Sequence, residues 1–271
     1  MKVFPSSPIY NDILDALVKC KGANEEFAAI AQQALEVKAP NQACDGYFST
    51  VELAAAAAPP PFCTDQYKEI YHKYSANSRW LATSLMANAQ REGQGATDLW
   101  TLAACAEDQL EQSLLKQHAI DESRHAEMYL LLLDLNFPGL VDEVFRKEMN
   151  GLSPGFSKEQ TLQPFINSDY AKNPTIDDFV QMNIAEIRTT FHHLMQRQAL
   201  EQHCPPENIE PSRKVLDSLL QDELGHVAYT AHLVEKKMCE MGMHKLEVLY
   251  TRRLKDFNQI TISEFGNRIF G

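Results

Sequence analysis

Residues 121–125 read Asp-Glu-Ser-Arg-His, and residues 222–226 read Asp-Glu-Leu-Gly-His. On an α-helix, residues three positions apart lie on one face, so each Asp-Glu-x-x-His motif directs a carboxylate and an imidazole to the same place. Helical bundles hold pairs of iron or manganese ions with two such motifs and one further glutamate from each of two partner helices. The repeat therefore predicts an all-α protein with a two-metal site.

Helical patterns surround both motifs. We expect four long helices, from Thr64 or Asp65 to about Glu92, from Thr97 to about Leu135, from Thr175 to about His203, and from Ser212 to about Met241. Gly93 and Gly95 are expected to separate the first two helices. Residues 136–174 contain seven prolines and glycines and predict a long irregular connection with a short helix near 140–149. One long crossover among four helices is typical of a ferritin-like bundle.

Accessory helices flank this bundle. Residues 10–38 predict an amphipathic helix or a pair broken at Gly22, and the alanine-rich and proline-rich run at 54–61 predicts a linker or a packed arm before the bundle. A last helix is expected from His244 to about Asn258. The chain thus divides into an N-terminal arm and linker (1–63), a dimetal bundle (64–242) and a C-terminal helix and tail (243–271), packed as one domain.

The glutamate that completes the second motif follows from the geometry of a helical hairpin. Two residues at the same height in an antiparallel hairpin are equally far from the turn. Glu186 and Glu223 have their midpoint at 204.5, within the Cys204-Pro205-Pro206 turn. Glu186 is therefore the expected partner of the second motif.

The same argument applies to the first motif. A turn near Gly95 makes Glu69 the partner of Glu122, and Glu92 could serve only if one helix ran through Gly93 and Gly95. The expected metal ligands are therefore Glu69, Glu122, His125, Glu186, Glu223 and His226. Carboxylate oxygens with one imidazole per metal suit iron, with manganese as the alternative.

Further polar residues lie beside these ligands. Asp121 and Asp222 precede the motif glutamates, and a carboxylate there can accept the second ring N–H of a ligand histidine and fix its tautomer. His118 lies four residues before the first motif glutamate, and His72 lies three residues after Glu69. Either histidine could bind metal or form hydrogen bonds in the core. His193 shares a helical face with the expected ligand on its helix, but a core or pocket-wall position is favoured.

With DESRH, DELGH and a glutamate on each alternate helix, residues 64–242 resemble the ferritin-like non-haem di-iron carboxylate proteins. That group includes bacterial multicomponent monooxygenases, the small subunit of ribonucleotide reductase, N-oxygenases and ferritins. N-oxygenases acting on arylamines carry an additional ligand histidine four residues before a motif glutamate on the fourth helix. Here that position is Leu219, and the same spacing occurs instead at His118 on the second helix.

The resemblance implies an oxidoreductase with two irons, which activates dioxygen to oxidise a small organic molecule. Hydroxylation, N-oxygenation, desaturation and oxidative cleavage are all open. The alternatives are a ferroxidase or iron-storage protein and the radical-generating subunit of a larger enzyme. The N-terminal extension and the long crossover favour the first reading, because such additions commonly build lids and pockets.

Composition sets the expected partners and location. The net charge of −12 argues against nucleic-acid binding, and no stretch is apolar enough to span a membrane. Six scattered cysteines without a C-x-x-C pair predict reduced thiols in a cytoplasmic protein. Electrons would then come from an external reductase or ferredoxin. We also expect a homodimer formed through the N-terminal helix. The tail at 261–271 could be a docking tail, although a packed end is favoured.

Overall fold

The computed structural model describes residues 7–265, and within this range the chain is all-helical, with ten α-helices and no β-strand. The helices are α1 (Pro8–Leu17), α2 (Ala23–Lys38), α3 (Asp45–Ala57), α4 (Asp65–Ser75), α5 (Ser78–Cys105), α6 (Gln109–Asn136), α7 (Glu143–Met149), α8 (Ile176–His203), α9 (Ile209–Met241) and α10 (Met243–Phe265). None of the described helices is both long and apolar enough to cross a membrane. The end of the expected docking tail, residues 266–271, lies outside the described range.

The chain divides into two compact units. The first contains Met1–Lys73, Thr175–Gln196 and Leu220–Gly271, and the second contains Tyr74–Pro174 and Arg197–Leu219. These units are defined by packing, whereas the segments predicted at 1–63, 64–242 and 243–271 follow the order of helices along the chain. The predicted segmentation stays a prediction.

A buried polar network holds the helices of the first unit together. The hydroxyls of Tyr47 on α3 and Tyr250 on α10 donate to Oδ1 of Asn183 on α8, at 2.9 and 2.7 Å. The amide nitrogen of Asn183 donates to the carbonyl of Val227 and the hydroxyl of Thr230 on α9, at 3.1 and 3.0 Å. A buried network is stabilising when each member finds its partner, so this one fixes α8 against three neighbours.

The run at 54–61, predicted as a linker or a packed arm, is a packed helix in its first half. Its alanines continue α3 as far as Ala57, and Ala54 and Ala55 are fully buried. Alanine has the highest helix propensity, and its small side chain allows close packing of a helix. The helix ends only before Pro59, because the residue before a proline is driven away from the helical region.

The predicted boundaries of the first two long helices are also wrong. The helix expected from residue 64 to 92 is two helices, α4 and α5, and α5 continues through Gly93 and Gly95 to Cys105. Asn77 caps α5 by accepting from the Trp80 amide at 3.1 Å. The turn to α6 lies at residues 106–108.

Asp108, not Thr97, is the cap of α6. Its Oδ1 accepts from the amides of Leu110 and Glu111, at 2.8 and 3.0 Å. The hydroxyl of Thr97 instead donates to the carbonyl of Gly93 at 3.0 Å, as an interior residue of α5. Acidic N-caps accept from the first free amides of a helix, and Asp108 does so for α6.

Close packing explains why the interior of α5 contains a glycine at position 93. A Cβ atom built on Gly93 would lie 1.8 Å from the carbonyl oxygen of Leu152. Glycine therefore allows the backbone of the long connection to cross α5 at this point. The sequence prediction treated this glycine as a helix terminator, whereas its role is a contact with residues 59 positions away along the chain.

The long connection after α6 packs on the α5–α6 hairpin within the second unit. Phe156 stacks on Trp100 with ring centroids 4.3 Å apart. The hydroxyl of Ser153 donates to the carbonyl of Ser123 at 2.8 Å. The short helix expected near 140–149 is present as α7.

The remaining helix boundaries agree closely with the sequence. Thr175 and Asp178 form reciprocal hydrogen bonds at the start of α8, since each side chain accepts from the other's amide. The N-terminal pair is broken at Gly22, as expected. Gly242, with φ of +87°, separates α9 from α10. The last helix is longer than predicted and extends to Phe265.

Candidate metal centre

The first motif forms a buried group with a glutamate of α5. Glu122 and His125 are buried on α6, and His125 Nδ1 lies 3.7 Å from Glu122 Oε1 and 4.0 Å from Glu92 Oε2. One ligand atom from each of these three residues lies within 4.8 Å of the other two. The helical spacing of three positions and the α5–α6 hairpin together produce this convergence.

Glu69 does not take part in this group, which corrects the sequence prediction. It is exposed on α4, as is His72, and neither belongs to a cluster that could hold a metal among the described residues. The hairpin argument was sound, but its turn was misplaced. With the observed turn at 106–108, the partner of Glu122 is the residue for which the midpoint is 107, and that residue is Glu92.

His118 adds a second imidazole to the first motif. It is almost fully buried, and its Nε2 lies 2.9 Å from Glu122 Oε1. The spacing of four residues places both side chains on the same face of α6. The structure thus places His118 beside Glu122, a position compatible with both roles left open by the sequence, a metal ligand and a hydrogen-bonded core residue.

The charge of Glu122 is set by its neighbours. Burial by itself raises the pKa of this carboxyl, but hydrogen bonds with Glu92 and His118 and the imidazoles of His125 and His118 outweigh burial and lower the pKa to about 2. The anion is therefore the stable form of Glu122 at neutral pH. An ionised carboxylate is the form that binds a cation.

The second motif forms a matching group with α8. Glu223 and His226 are buried on α9, and His226 Nδ1 lies 3.5 Å from Glu223 Oε2. The same nitrogen lies 3.8 Å from Oε2 of Glu186 on α8. The predicted pairing of Glu186 with this motif thus agrees with the structure.

His193 lies beside the second motif, in a buried position that is compatible with the core or pocket-wall position favoured by the sequence. It is buried on α8, two turns after Glu186, and its Nε2 lies 3.5 Å from Glu223 Oε1. The sequence favoured a core or pocket-wall position for this residue. Its position seven residues after a ligand, which is two helical turns, was the available signal.

Each of the two groups brings carboxylate oxygens and imidazole nitrogens close together. Buried carboxylates are commonly paired or bind metals, and this mixture of oxygen and nitrogen donors is one that iron and manganese can accept. Residues of this kind could hold a metal ion.

The two aspartates of the motifs are less buried than the glutamates. Asp121 accepts hydrogen bonds from Gln117 and Arg124 on its own helix, each at 3.1 Å. Asp222 is half-buried. Their expected contacts with ligand histidines stay predictions. Near the second motif, Tyr229 packs edge-on against His226 with ring centroids 6.3 Å apart.

Comparisons with protein-family models, with curated proteins and with solved structures give no match in any of the three.

Proposed function

We propose that this protein is a dioxygen-activating dimetal oxidoreductase that oxidises a small organic molecule. The observation that carries the proposal is the pair of Glu-x-x-His groups, each joined by a glutamate from another helix, Glu92 in one case and Glu186 in the other. Two carboxylates and one imidazole in each group, all buried except the partly buried Glu92, match the composition of a ferritin-like di-iron site.

The proposal includes a ferritin-like arrangement of the four longest helices. The helices α5, α6, α8 and α9 have 28, 28, 28 and 33 residues. Glu92, Glu122, Glu186 and Glu223 lie one on each of them. In this arrangement the connection after α6 is the single long crossover.

The ligand set proposed is Glu92, Glu122, His125, Glu186, Glu223 and His226, with His118 as an additional ligand. When bound, a pair of reduced irons, or of manganese ions, supplies the electrons needed to cleave dioxygen. The neighbours of Glu122 keep this carboxylate ionised, as its lowered pKa indicates, and the imidazoles of the site lie in a buried environment. Burial excludes water, which protects a reactive oxidant from side reactions.

The reaction proposed is one of hydroxylation, N-oxygenation, desaturation or oxidative cleavage. Electrons would come from an external reductase or ferredoxin, because the described cysteines are free thiols that form no cluster able to hold a metal. We also propose a homodimer as the functional form.

The test is anaerobic loading with ferrous iron, followed by rapid mixing with dioxygen and optical detection. We expect two irons per chain and a transient absorption band in the wild type. Glu122→Ala and Glu186→Ala should lose iron and the band. Glu69→Ala is the matched control, because Glu69 is exposed on α4 and should load iron as the wild type does.

Other outcomes separate the alternatives. Two irons with steady mineral growth and no transient band would favour a ferroxidase or storage protein. A stable tyrosine radical after mixing would favour a radical-generating subunit, with Tyr229 beside His226 as the first residue to substitute. Absence of iron uptake in the folded wild type would contradict the dimetal site.

A further inference from the structure

Thr190 on α8 has a buried hydroxyl with no hydrogen-bond partner in the protein. Its side chain is fully buried, and its Oγ1 is without a donor or acceptor partner. A buried hydroxyl that makes no hydrogen bond is unfavourable, so each such group in a folded protein requires an explanation.

Other threonines within the helices show what a threonine hydroxyl in a helix ordinarily does. Six of them donate to the carbonyl oxygen four residues earlier, at 2.6–3.0 Å: Thr50, Thr83, Thr97, Thr101, Thr230 and Thr261. The equivalent acceptor for Thr190 is the carbonyl of Glu186. Thr190 does not make this bond, so its hydroxyl points elsewhere.

The position of Thr190 on α8 indicates where the hydroxyl points. It lies four residues after Glu186 and three before His193, so the three side chains share one face of the helix. Glu186 and His193 both face the second motif on α9. Glu186 Oε2 lies 3.8 Å from His226 Nδ1, and His193 Nε2 lies 3.5 Å from Glu223 Oε1. Helical side chains lean toward the N-terminus of their helix, which brings Thr190 toward Glu186.

We propose that Thr190 is a ligand-binding residue of the metal centre, whose hydroxyl donates a hydrogen bond to a small acceptor molecule, water or a small anion, bound beside Glu186. This inference rests on the proposed dimetal site and adds a specific residue to it. The hydroxyl has no hydrogen-bond partner within the protein, and it would gain one when the small molecule binds to the metal-loaded protein.

Two variants test the role of the hydroxyl. Thr190→Val removes it with almost no change in shape, and Thr190→Ser retains it. The probe is azide, a small anion, titrated into the anaerobically iron-loaded protein and followed by its optical absorption. We expect Thr190→Val to weaken azide binding about fivefold to tenfold, as loss of one hydrogen bond implies, and Thr190→Ser to bind within about twofold of the wild type.

Thermal unfolding of the metal-free variants separates a ligand-binding role from a structural one. Thr190→Val should unfold at or above the wild-type temperature, because no hydrogen bond within the protein is lost. Thr50→Val is the matched control: Thr50 is equally buried but bonded to the Gly46 carbonyl at 2.8 Å, so its loss should lower the unfolding temperature.

The outcomes are distinguishable from failure of the proposed function. If all variants load two irons and Thr190→Val binds azide as tightly as the wild type, the role of Thr190 is overturned and the metal site stands. A fall in unfolding temperature for metal-free Thr190→Val as large as that of Thr50→Val would also overturn it. If the wild type takes up no iron, the proposed function and this inference fail together.

Discussion

Glu92 and Glu69 are the two glutamates that could complete the first motif, and their environments differ. Glu92 has only 12% of its side chain exposed and lies 4.0 Å from His125, whereas Glu69 is exposed on α4. Substitution of Glu92 by glutamine keeps its size but removes the charge that a cation requires. We expect Glu92→Gln to weaken iron binding by about tenfold or more, the lower range reported for residues that support metal ligands.

Glu69→Gln is the control for this prediction and should leave the iron affinity unchanged. Both affinities can be measured by anaerobic titration with ferrous iron. Equal loss of affinity in the two variants would mean that net negative charge, and not the geometry at His125, determines iron binding. Loss of iron affinity only in Glu69→Gln would identify Glu69 on α4, and not Glu92, as the glutamate that completes the first motif.

At the scale of single helices, Gly93 and Gly95 are two glycines of one helix with different roles. A Cβ on Gly93 would lie 1.8 Å from the Leu152 carbonyl, whereas a Cβ on Gly95 would meet no atom within 4 Å. Gly93→Ala should lower the free energy of unfolding by about 1–3 kcal/mol, as overpacking does. Gly95→Ala should raise it by about 0.5–1 kcal/mol through helix propensity.

Urea unfolding of the two alanine variants measures both values under the same conditions. If Gly93→Ala were as stable as Gly95→Ala, this result would contradict the close contact between Gly93 and the Leu152 carbonyl. The two glycines also explain why the sequence prediction ended a helix near Glu92. Local signals assign a glycine in a helical pattern to a helix end, and only the contact with Leu152 distinguishes an interior glycine from a terminator.

An ion pair connects the start of α8 to α10 and makes stability depend on pH. Asp177 accepts from Arg253 at 2.8 Å and from Arg252 at 3.2 Å. The hydrogen bond with Arg253 lowers the pKa of Asp177 below its ordinary value, against the opposing effect of partial burial. A carboxyl whose pKa is lower in the folded state stabilises the fold above its unfolded-state pKa of about 3.9.

That contribution is lost as the pH falls through the folded-state pKa of Asp177. We therefore expect Asp177→Asn to unfold at a lower temperature than the wild type at pH 7, with the difference shrinking once the pH falls below the unfolded-state pKa of about 3.9 and vanishing below the folded-state pKa. Asp15→Asn, at an exposed position on α1, is the control. A difference that stayed constant with pH would show that the charge of Asp177 does not stabilise the contact with α10.

Across the whole molecule, the sequence predicted contacts within one helix or hairpin better than the path of the chain. The two motifs, Glu186 and the start of α8 at Thr175 follow from spacing and capping within one helix or hairpin, and they agree with the structure. The break between α4 and α5 and the choice of Glu92 over Glu69 depend on which turn closes the hairpin. That choice is decided by packing between segments far apart in sequence. Local sequence patterns carry no information about such packing.

The whole chain should also gain stability from its metals. A ligand that binds only the folded state stabilises it by about 2.7 kcal/mol at a free concentration one hundred times its dissociation constant. We expect anaerobic ferrous iron to raise the unfolding temperature of the wild type, and a chelator to reverse the rise. The shift should be smaller in Glu122→Ala and in Glu223→Ala, because each removes a buried carboxylate from one motif.

Magnesium is the control ion for this measurement, because a site with imidazole ligands suits iron and disfavours magnesium. Equal shifts with both ions would indicate general screening of the net charge of −12 and not a specific site. If only Glu122→Ala reduced the shift with iron, the first motif would bind metal alone. Reduction by either variant is the result expected of two motifs that serve one dimetal centre.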